Sequence, residues 1–140
     1  MQRASPWLLL LLVLAFARKG GTSPRPTPGG SVLTLAELRA LAASVGFPDP
    51  DTAAAVAMAE SGGNPFAANI VTNPAPGNLP ERSFGLWQVN TLAHPEFDET
   101  QLLNSAYNAH AALLVSASGT DWSHWTTYTT GKYRQYMPGA

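Results

Sequence analysis

Residues 51–64 read DTAAAVAMAESGGN, an apolar helical pattern that ends in a carboxylate and two glycines. A helix that is apolar on all of its faces is a buried helix. Glu60 therefore falls in the last turn of a buried helix, at the edge of the core. Burial raises the pKa of a carboxyl group, and the negative end of the helix dipole acts in the same direction. The sequence thus predicts that Glu60 keeps a proton near neutral pH, as a general acid must.

A second helix is predicted just before this stretch. Thr34 and Glu37 have the spacing of a capping box, in which each side chain bonds the backbone amide of the other residue. Leucine, alanine and valine then recur at helical spacing as far as Val45, and Gly46 is placed to end the helix. After a turn, we place Asp51 as the N-cap of the helix that ends in Glu60.

Residues 62–82 are rich in proline, glycine and asparagine, which is typical of loops, with a short strand predicted at 67–72. Two later segments carry polar side chains among apolar ones. Residues 83–90 read SFGLWQVN, and their polar members either cap neighbouring backbone or belong to a site. Tyr107 and Asn108 lie in an apolar helix pattern over residues 102–115, where a core tyrosine and a buried helix-to-loop hydrogen bond are the alternative to a site role.

Composition restricts the possible classes of protein. The chain has 140 residues, 45% hydrophobic and 12% charged, enough for one modest domain. It has no cysteine, which excludes disulfides and cysteine metal sites, and its three histidines lack the spacing of metal ligands. Residues 31–140 hold nine acidic and four basic side chains, a balance that argues against nucleic-acid binding. We expect neither a metal nor an organic cofactor.

The first thirty residues have a different character from the rest. Residues 7–17 form an unbroken apolar run that follows Arg3, so residues 1–19 are predicted to be a signal peptide or a membrane anchor. The run is short for a membrane-spanning helix. Residues 20–33 are a proline- and glycine-rich linker, and the folded domain is predicted at 34–137. We therefore expect a secreted or cell-envelope protein, a virion-associated one included, with membrane association through residues 7–17 and a monomeric state.

Three motifs occur in a fixed order: ESGGN at 60–64, SFGLWQVN at 83–90 and AYNA at 106–109. Together they resemble the soluble lytic transglycosylase and goose-type lysozyme family, which carries a Glu-Ser, a Gly-Leu-Met-Gln-like and an Ala-Tyr-Asn motif in this order. The resemblance covers residues 34–137, and small phage-associated and actinobacterial members look most similar. Trp87 stands where methionine is common. The implied fold is mainly α, a lysozyme-like domain with a short loop or β-hairpin between the catalytic helix and the Gly-Leu-Trp-Gln motif.

The resemblance also implies a reaction. Glu60 would be the sole acid and base of a lytic transglycosylase that cleaves the bond between N-acetylmuramic acid and N-acetylglucosamine in peptidoglycan strands, giving a 1,6-anhydro product. The ordinary glycosidase scheme needs two carboxylates at a defined separation, and Glu81 is the only acid between Glu60 and Ser83. We predict a solvated loop position for Glu81, which favours the transglycosylase. A muramidase and a non-catalytic glycan-binding or virion structural module are the alternatives.

The implied substrate-binding residues are Ser61, Ser83, Gln88, Asn90, Asn108 and Tyr128. Ser61 would orient Glu60 or the substrate, with an ordinary helix-terminal hydroxyl as the alternative. Side-chain amides both donate and accept hydrogen bonds, which suits the N-acetyl groups of the two sugars. In the family a tyrosine also hydrogen-bonds the catalytic glutamate, and Tyr128 is the predicted counterpart.

Overall fold

The computed structural model describes residues 31–140, so the predicted signal or anchor and most of the predicted linker lie outside the described residues. The main elements are four α-helices, three short strands and two 310 helices. The α-helices are α1 (Leu35–Val45), α2 (Pro50–Ser61), α3 (Ser105–Val115) and α4 (Thr126–Thr129). The strands are β1 (Ala68–Val71), β2 (Glu81–Phe84) and β3 (Val89–Asn90), and the 310 helices span Gln101–Leu103 and Lys132–Tyr136. Within residues 31–140, no helix combines the length and the apolar character needed to cross a membrane.

The first two helices begin and end at residues that the sequence marks. In the confirmed capping box, the Thr34 amide donates to Glu37 at 2.7 Å and the Glu37 amide donates to the Thr34 hydroxyl at 3.2 Å. Helix α1 ends at Gly46, whose φ of 102° is left-handed. The predicted N-cap of α2, Asp51, is wrong: the cap is Asp49, which accepts from the Thr52 amide. Proline is favoured in the first helical position, so the helix starts at Pro50, one residue before the predicted cap.

Helix α2 is the central element of the core. Residues 52–57 are all buried, and the helix packs against α1 and the C-terminal 310 helix. Small alanine side chains let Trp87 approach closely enough for its indole N–H to donate to the Ala53 carbonyl at 3.0 Å. Trp87 is fully buried and Phe47 stacks on it at 5.8 Å between ring centroids. The carboxyl-terminal turn of α2, with Glu60, emerges from this core.

The strands form an antiparallel sheet in the order β1-β2-β3. In its register, Asn69 pairs with Ser83 and Ser83 with Asn90, while Val71 pairs with Glu81. Cross-strand partners share a face, and neighbouring residues of a strand alternate between faces. One face therefore carries Asn69, Glu81, Ser83 and Asn90, and the opposite face carries Arg82.

The second half of the domain closes over the sheet. The helical pattern predicted over 102–115 is interrupted at Asn104, because its side chain accepts from the Tyr107 amide at 3.0 Å and starts α3 as a separate helix. Trp122 and Trp125 are buried beside each other, with ring centroids 5.0 Å apart. The fold is mainly helical with one small three-stranded sheet, in which β1 and β2 form a hairpin between the helix of Glu60 and the Gly-Leu-Trp-Gln motif and β3 follows the motif, which confirms the predicted fold class.

Candidate active site

Glu60 lies half-buried at the end of α2 and accepts a hydrogen bond from the Thr127 hydroxyl, 2.8 Å from its Oε1 atom. Burial is the largest influence on this carboxyl and raises its pKa above the ordinary 4.5. The Thr127 bond opposes that shift, the negative charge of Glu81 adds to it and the positive charge of Lys132 opposes it. The balance leaves the pKa raised, in the direction that the sequence predicted for a proton donor.

Glu81 is not the solvated loop residue that we predicted. It lies in β2, half-buried, with Oε2 accepting from the Asn69 amide group at 2.7 Å and Oε1 accepting from the Ser83 hydroxyl at 2.9 Å. Two such hydrogen bonds fix the position of the Glu81 carboxylate. The negative charge of Glu81 is one of the influences that raise the pKa of Glu60. Glu81 is therefore a second carboxylate to consider beside Glu60, held in place by Asn69 and Ser83.

Ser83 and Ser61 both use their hydroxyl groups within the protein. Ser83 is 2% exposed and its hydroxyl donates to Glu81, and its contact with a sugar stays a prediction. Ser61 donates to the Ala57 carbonyl at 3.0 Å and accepts from the Gly63 amide at 3.2 Å. These bonds satisfy backbone groups at the end of α2. Ser61 thus shapes the turn that follows Glu60.

Gln88 and Asn90 line a pocket of about 100 Å³ at the edge of the sheet. Gln88 has a left-handed φ of 47°, and its amide nitrogen donates to the Ala67 and Gly85 carbonyls, each at 3.0 Å. Asn90 accepts from the Leu92 amide at 2.9 Å. The other lining residues are Val89, Ala93, His94, Val115, His124 and Trp125. Both predicted amide residues therefore lie beside a cavity, and their contact with substrate stays a prediction.

Asn108 holds the loop of the Gly-Leu-Trp-Gln motif. It is completely buried, and its Oδ1 atom accepts from the Trp87 amide at 2.8 Å. Its Nδ2 atom donates to the carbonyls of Phe84 at 2.8 Å and Leu102 at 3.0 Å. The buried helix-to-loop hydrogen bond is therefore present, and a role of Asn108 in the site, as a support of the cleft, stays a prediction.

Glu60 receives its side-chain hydrogen bond from Thr127, in the place that the resemblance gave to Tyr128. The Tyr128 ring instead stacks on Tyr133, with 4.6 Å between centroids and 19° between planes. Consecutive residues of a helix point in directions about 100° apart, so one position decides which side chain meets Glu60. A substrate contact of the half-buried Tyr128 stays a prediction.

Sequence reasoning missed Thr127 and Asn69. Thr127 is one of four threonines between Trp125 and Gly131, and nothing in that run singles it out. Asn69 belongs to the predicted strand, and its role follows from the register, which brings it next to Ser83 and within reach of Glu81. Strand register depends on pairing partners, so a local pattern could not have identified it.

Comparison with protein families gives one match. A family model described as a lysozyme-like domain matches residues 39–127, well over half of the chain. No curated protein and no solved structure matches the chain. The matched range contains Glu60, the polar face of the sheet and Thr127, and it ends at the residue that hydrogen-bonds Glu60.

Proposed function

From the premise that the chain belongs to the family of lysozyme-like domains, which supports glycan cleavage with peptidoglycan as the substrate, we propose that it is a peptidoglycan lytic transglycosylase. The observation that carries the proposal is Glu60: a half-buried carboxyl at the end of a core helix, its pKa raised by burial, with a neutral donor on one oxygen. The transglycosylase is favoured among the glycan-cleaving reactions because both oxygens of Glu81, the candidate second carboxylate, are already engaged by Asn69 and Ser83.

Glu60 acts first as an acid. Its proton passes to the oxygen that joins N-acetylmuramic acid to N-acetylglucosamine, the bond from the muramic C1 atom to that oxygen breaks, and N-acetylglucosamine leaves as an alcohol. Glu60 is then a carboxylate. A raised pKa places the proton donor near its working pH, and the negative charge of Glu81 favours the positive charge that develops at C1.

Glu60 acts second as a base. The muramic C6 hydroxyl forms a bond to C1 while its proton passes to Glu60, which restores the acid and gives the 1,6-anhydro sugar. Both oxygens of Glu81 already accept hydrogen bonds from Asn69 and Ser83. This arrangement suits a fixed negative charge near the reacting carbon, with Glu60 performing both proton transfers.

A muramidase is the second candidate, because Asn69 and Ser83 hold the Glu81 carboxylate and its charge acts on the carboxyl of Glu60. A carboxylate opposite a protonated acid is the arrangement of ordinary glycosidases. In that reaction Glu81 would orient a water molecule that attacks C1, and the product would be a reducing sugar. Asn69 and Ser83 would then fix the base.

The deciding experiment is mass spectrometry of the products that the full chain releases from purified peptidoglycan. We expect muropeptides that end in 1,6-anhydromuramic acid, and none from the Glu60→Gln variant. Products heavier by one water would establish the muramidase. No product from the parent chain would overturn both and leave a glycan-binding or structural module.

Glu81→Gln provides the second arm of the same experiment. For a transglycosylase we expect substantial remaining activity, with the alkaline limb of the pH–rate profile moved to lower pH because removing the charge of Glu81 lowers the pKa of Glu60. For a muramidase the loss should be on the order of a hundredfold or more, as expected when a general base is removed. Asp98→Asn, an exposed acid outside the site, is the matched control.

The site of action follows from the substrate class. We propose that the domain acts in the cell envelope or outside the cell, where peptidoglycan lies. The apolar run at residues 7–17 supports this proposal, since it is typical of an export signal or an anchor.

A further inference from the structure

Thr127 meets Glu60 from a part of the chain that the three sequence motifs do not include. The hydroxyl-to-carboxyl bond of 2.8 Å joins residues 67 positions apart. Its helix α4 has only four residues, too few to hold an orientation by helical hydrogen bonds alone. The position of Thr127 must therefore be set by what anchors the residues beside it.

The anchor is Trp125. Its buried indole donates to the Trp87 carbonyl at 2.7 Å, and the Trp87 amide in turn donates to Asn108 at 2.8 Å. Trp125 is also the residue before the first turn of α4, where its carbonyl accepts from the Tyr128 and Thr129 amides. A buried side chain held at both its ring and its backbone leaves little freedom two residues further on. A continuous set of hydrogen bonds thus connects Asn108, through Trp87 and Trp125, to the helix that presents Thr127.

We propose that Thr127 is the positioning residue of the catalytic carboxyl, selecting which of the two Glu60 oxygens carries the transferred proton. A hydroxyl that donates to Oε1 makes that atom the acceptor oxygen of the acid, so the proton resides on Oε2. The same bond persists when Glu60 becomes a carboxylate, since Oε1 accepts in both states. Oε2 therefore gives up the proton and takes it back without rotation of the carboxyl group. A fixed position of the reacting oxygen raises the reaction rate, because even a small displacement of a catalytic atom slows the reaction strongly.

The proposal rests on the proposed function, and its first test needs no substrate. The Glu60 carboxyl is titrated by carbon-13 NMR in the full chain, in Thr127→Val and in Thr127→Ser. Valine has nearly the shape of threonine without the hydroxyl, and serine keeps the hydroxyl. We expect the pKa of Glu60 to rise in Thr127→Val, because a bond that lowers it is lost, and to return toward the parent value in Thr127→Ser. An unchanged titration in Thr127→Val would overturn the contact.

The second test is kinetic and uses peptidoglycan. We expect Thr127→Val to lose roughly ten- to a hundredfold in kcat with little change in KM, to move the alkaline limb of its pH–rate profile upward, and to be largely rescued by Thr127→Ser. Thr129→Val is the matched control, because Thr129 is exposed and its hydroxyl bonds only back to the Thr126 carbonyl at 3.2 Å. Equal kcat losses in the valine and serine variants would overturn the positioning role. If the parent chain does not cleave peptidoglycan but the titration of Glu60 is shifted in Thr127→Val, the proposed function is wrong and the contact between Thr127 and Glu60 is confirmed.

Discussion

Glu60 and Glu99 are two glutamates of one small domain, and their surroundings shift their pKa values in opposite directions. Burial raises the pKa of Glu60. Glu99 accepts two bonds of 2.7 Å from the guanidinium of Arg82 and one of 2.8 Å from the Thr91 hydroxyl. These bonds lower its pKa to about 2. Glu99 is therefore ionised at neutral pH and connects the sheet to the following loop through Arg82, whereas the pKa of Glu60 is shifted upward.

The difference lies in the kind of donor that each carboxylate meets. A bidentate guanidinium matches a carboxylate in charge and geometry, and it leaves no reason for a proton to bind. Glu60 meets a neutral hydroxyl and a low-polarity surrounding, and its pKa is raised, with the charges of Glu81 and Lys132 acting on it in opposite directions. The alternation of β2 puts Arg82 on one face and Glu81 and Ser83 on the other, which keeps the guanidinium away from Glu60.

Asn108 bonds the strand of Arg82 through the Phe84 carbonyl, and it bonds the amide of Trp87, whose own carbonyl holds Trp125, so its removal should have the largest effect on stability. In Asn108→Ala, the Trp87 amide and the carbonyls of Phe84 and Leu102 lose their buried partner. We expect a loss of roughly 3–5 kcal/mol in the free energy of unfolding, because buried polar groups without partners are costly. Urea denaturation of the full chain measures it.

The exposed Asn78 supplies a matched control for this variant, and Asn78→Ala should unfold like the parent. A loss in Asn108→Ala no larger than the control's would show that the loop holds its position without the asparagine. The close fit of the site makes that outcome unexpected: Gly85 has a φ of 77°, and a Cβ atom there would collide with the Asn108 side chain and the Leu102 carbonyl.

The sequence identified Glu60 as a candidate proton donor. It did not identify the hydrogen-bond partners of Glu60 or of Glu99. Glu60 could be predicted because burial follows from the apolar pattern of its own helix. The capping box at Thr34 and the end of α1 at Gly46 are equally local, and both predictions are confirmed. Thr127, Asn69 and the pairing of Arg82 with Glu99 depend on contacts between distant segments, which no local pattern specifies.

Breaking the ion pair between Arg82 and Glu99 should have the next largest effect on stability. In Arg82→Met, Glu99 loses the guanidinium that lowers its pKa, so its pKa should return toward the ordinary value of 4.5. A carboxyl whose pKa is lowered on folding stabilises the protein above its ordinary pKa, and that contribution disappears as the pH falls through the lowered value. We expect Arg82→Met to melt a few degrees below the parent at pH 7, with the difference narrowing between pH 4.5 and about 2.

Thermal unfolding followed by circular dichroism at pH 7, 5 and 3 measures this dependence. Arg134→Met, at an exposed position in the C-terminal 310 helix, is the control for loss of a positive charge. A melting difference that stays constant across this pH range would mean that Arg82 acts through packing on Phe84, over whose ring its guanidinium lies at 5.7 Å, instead of through Glu99.

The smallest expected effect on stability comes from Glu60, and its dependence on pH is opposite to that of Glu99. Because its pKa is raised on folding, the unfolded chain releases this proton at a lower pH than the folded protein does. Stability conferred by the protonated carboxyl is therefore complete below the ordinary pKa of 4.5 and is lost as the pH rises through the higher folded value.

Glu60→Gln keeps an acceptor for Thr127 and has no proton to lose. We expect it to match the parent in melting temperature at pH 4 and to melt slightly higher at pH 8, with the exposed Glu96→Gln as control. Equal melting temperatures at both pH values would mean that Glu60 ionises without cost. A gain in stability at pH 8 together with loss of cleavage would identify Glu60 as a residue kept for chemistry at the expense of the fold, which Glu99 is not.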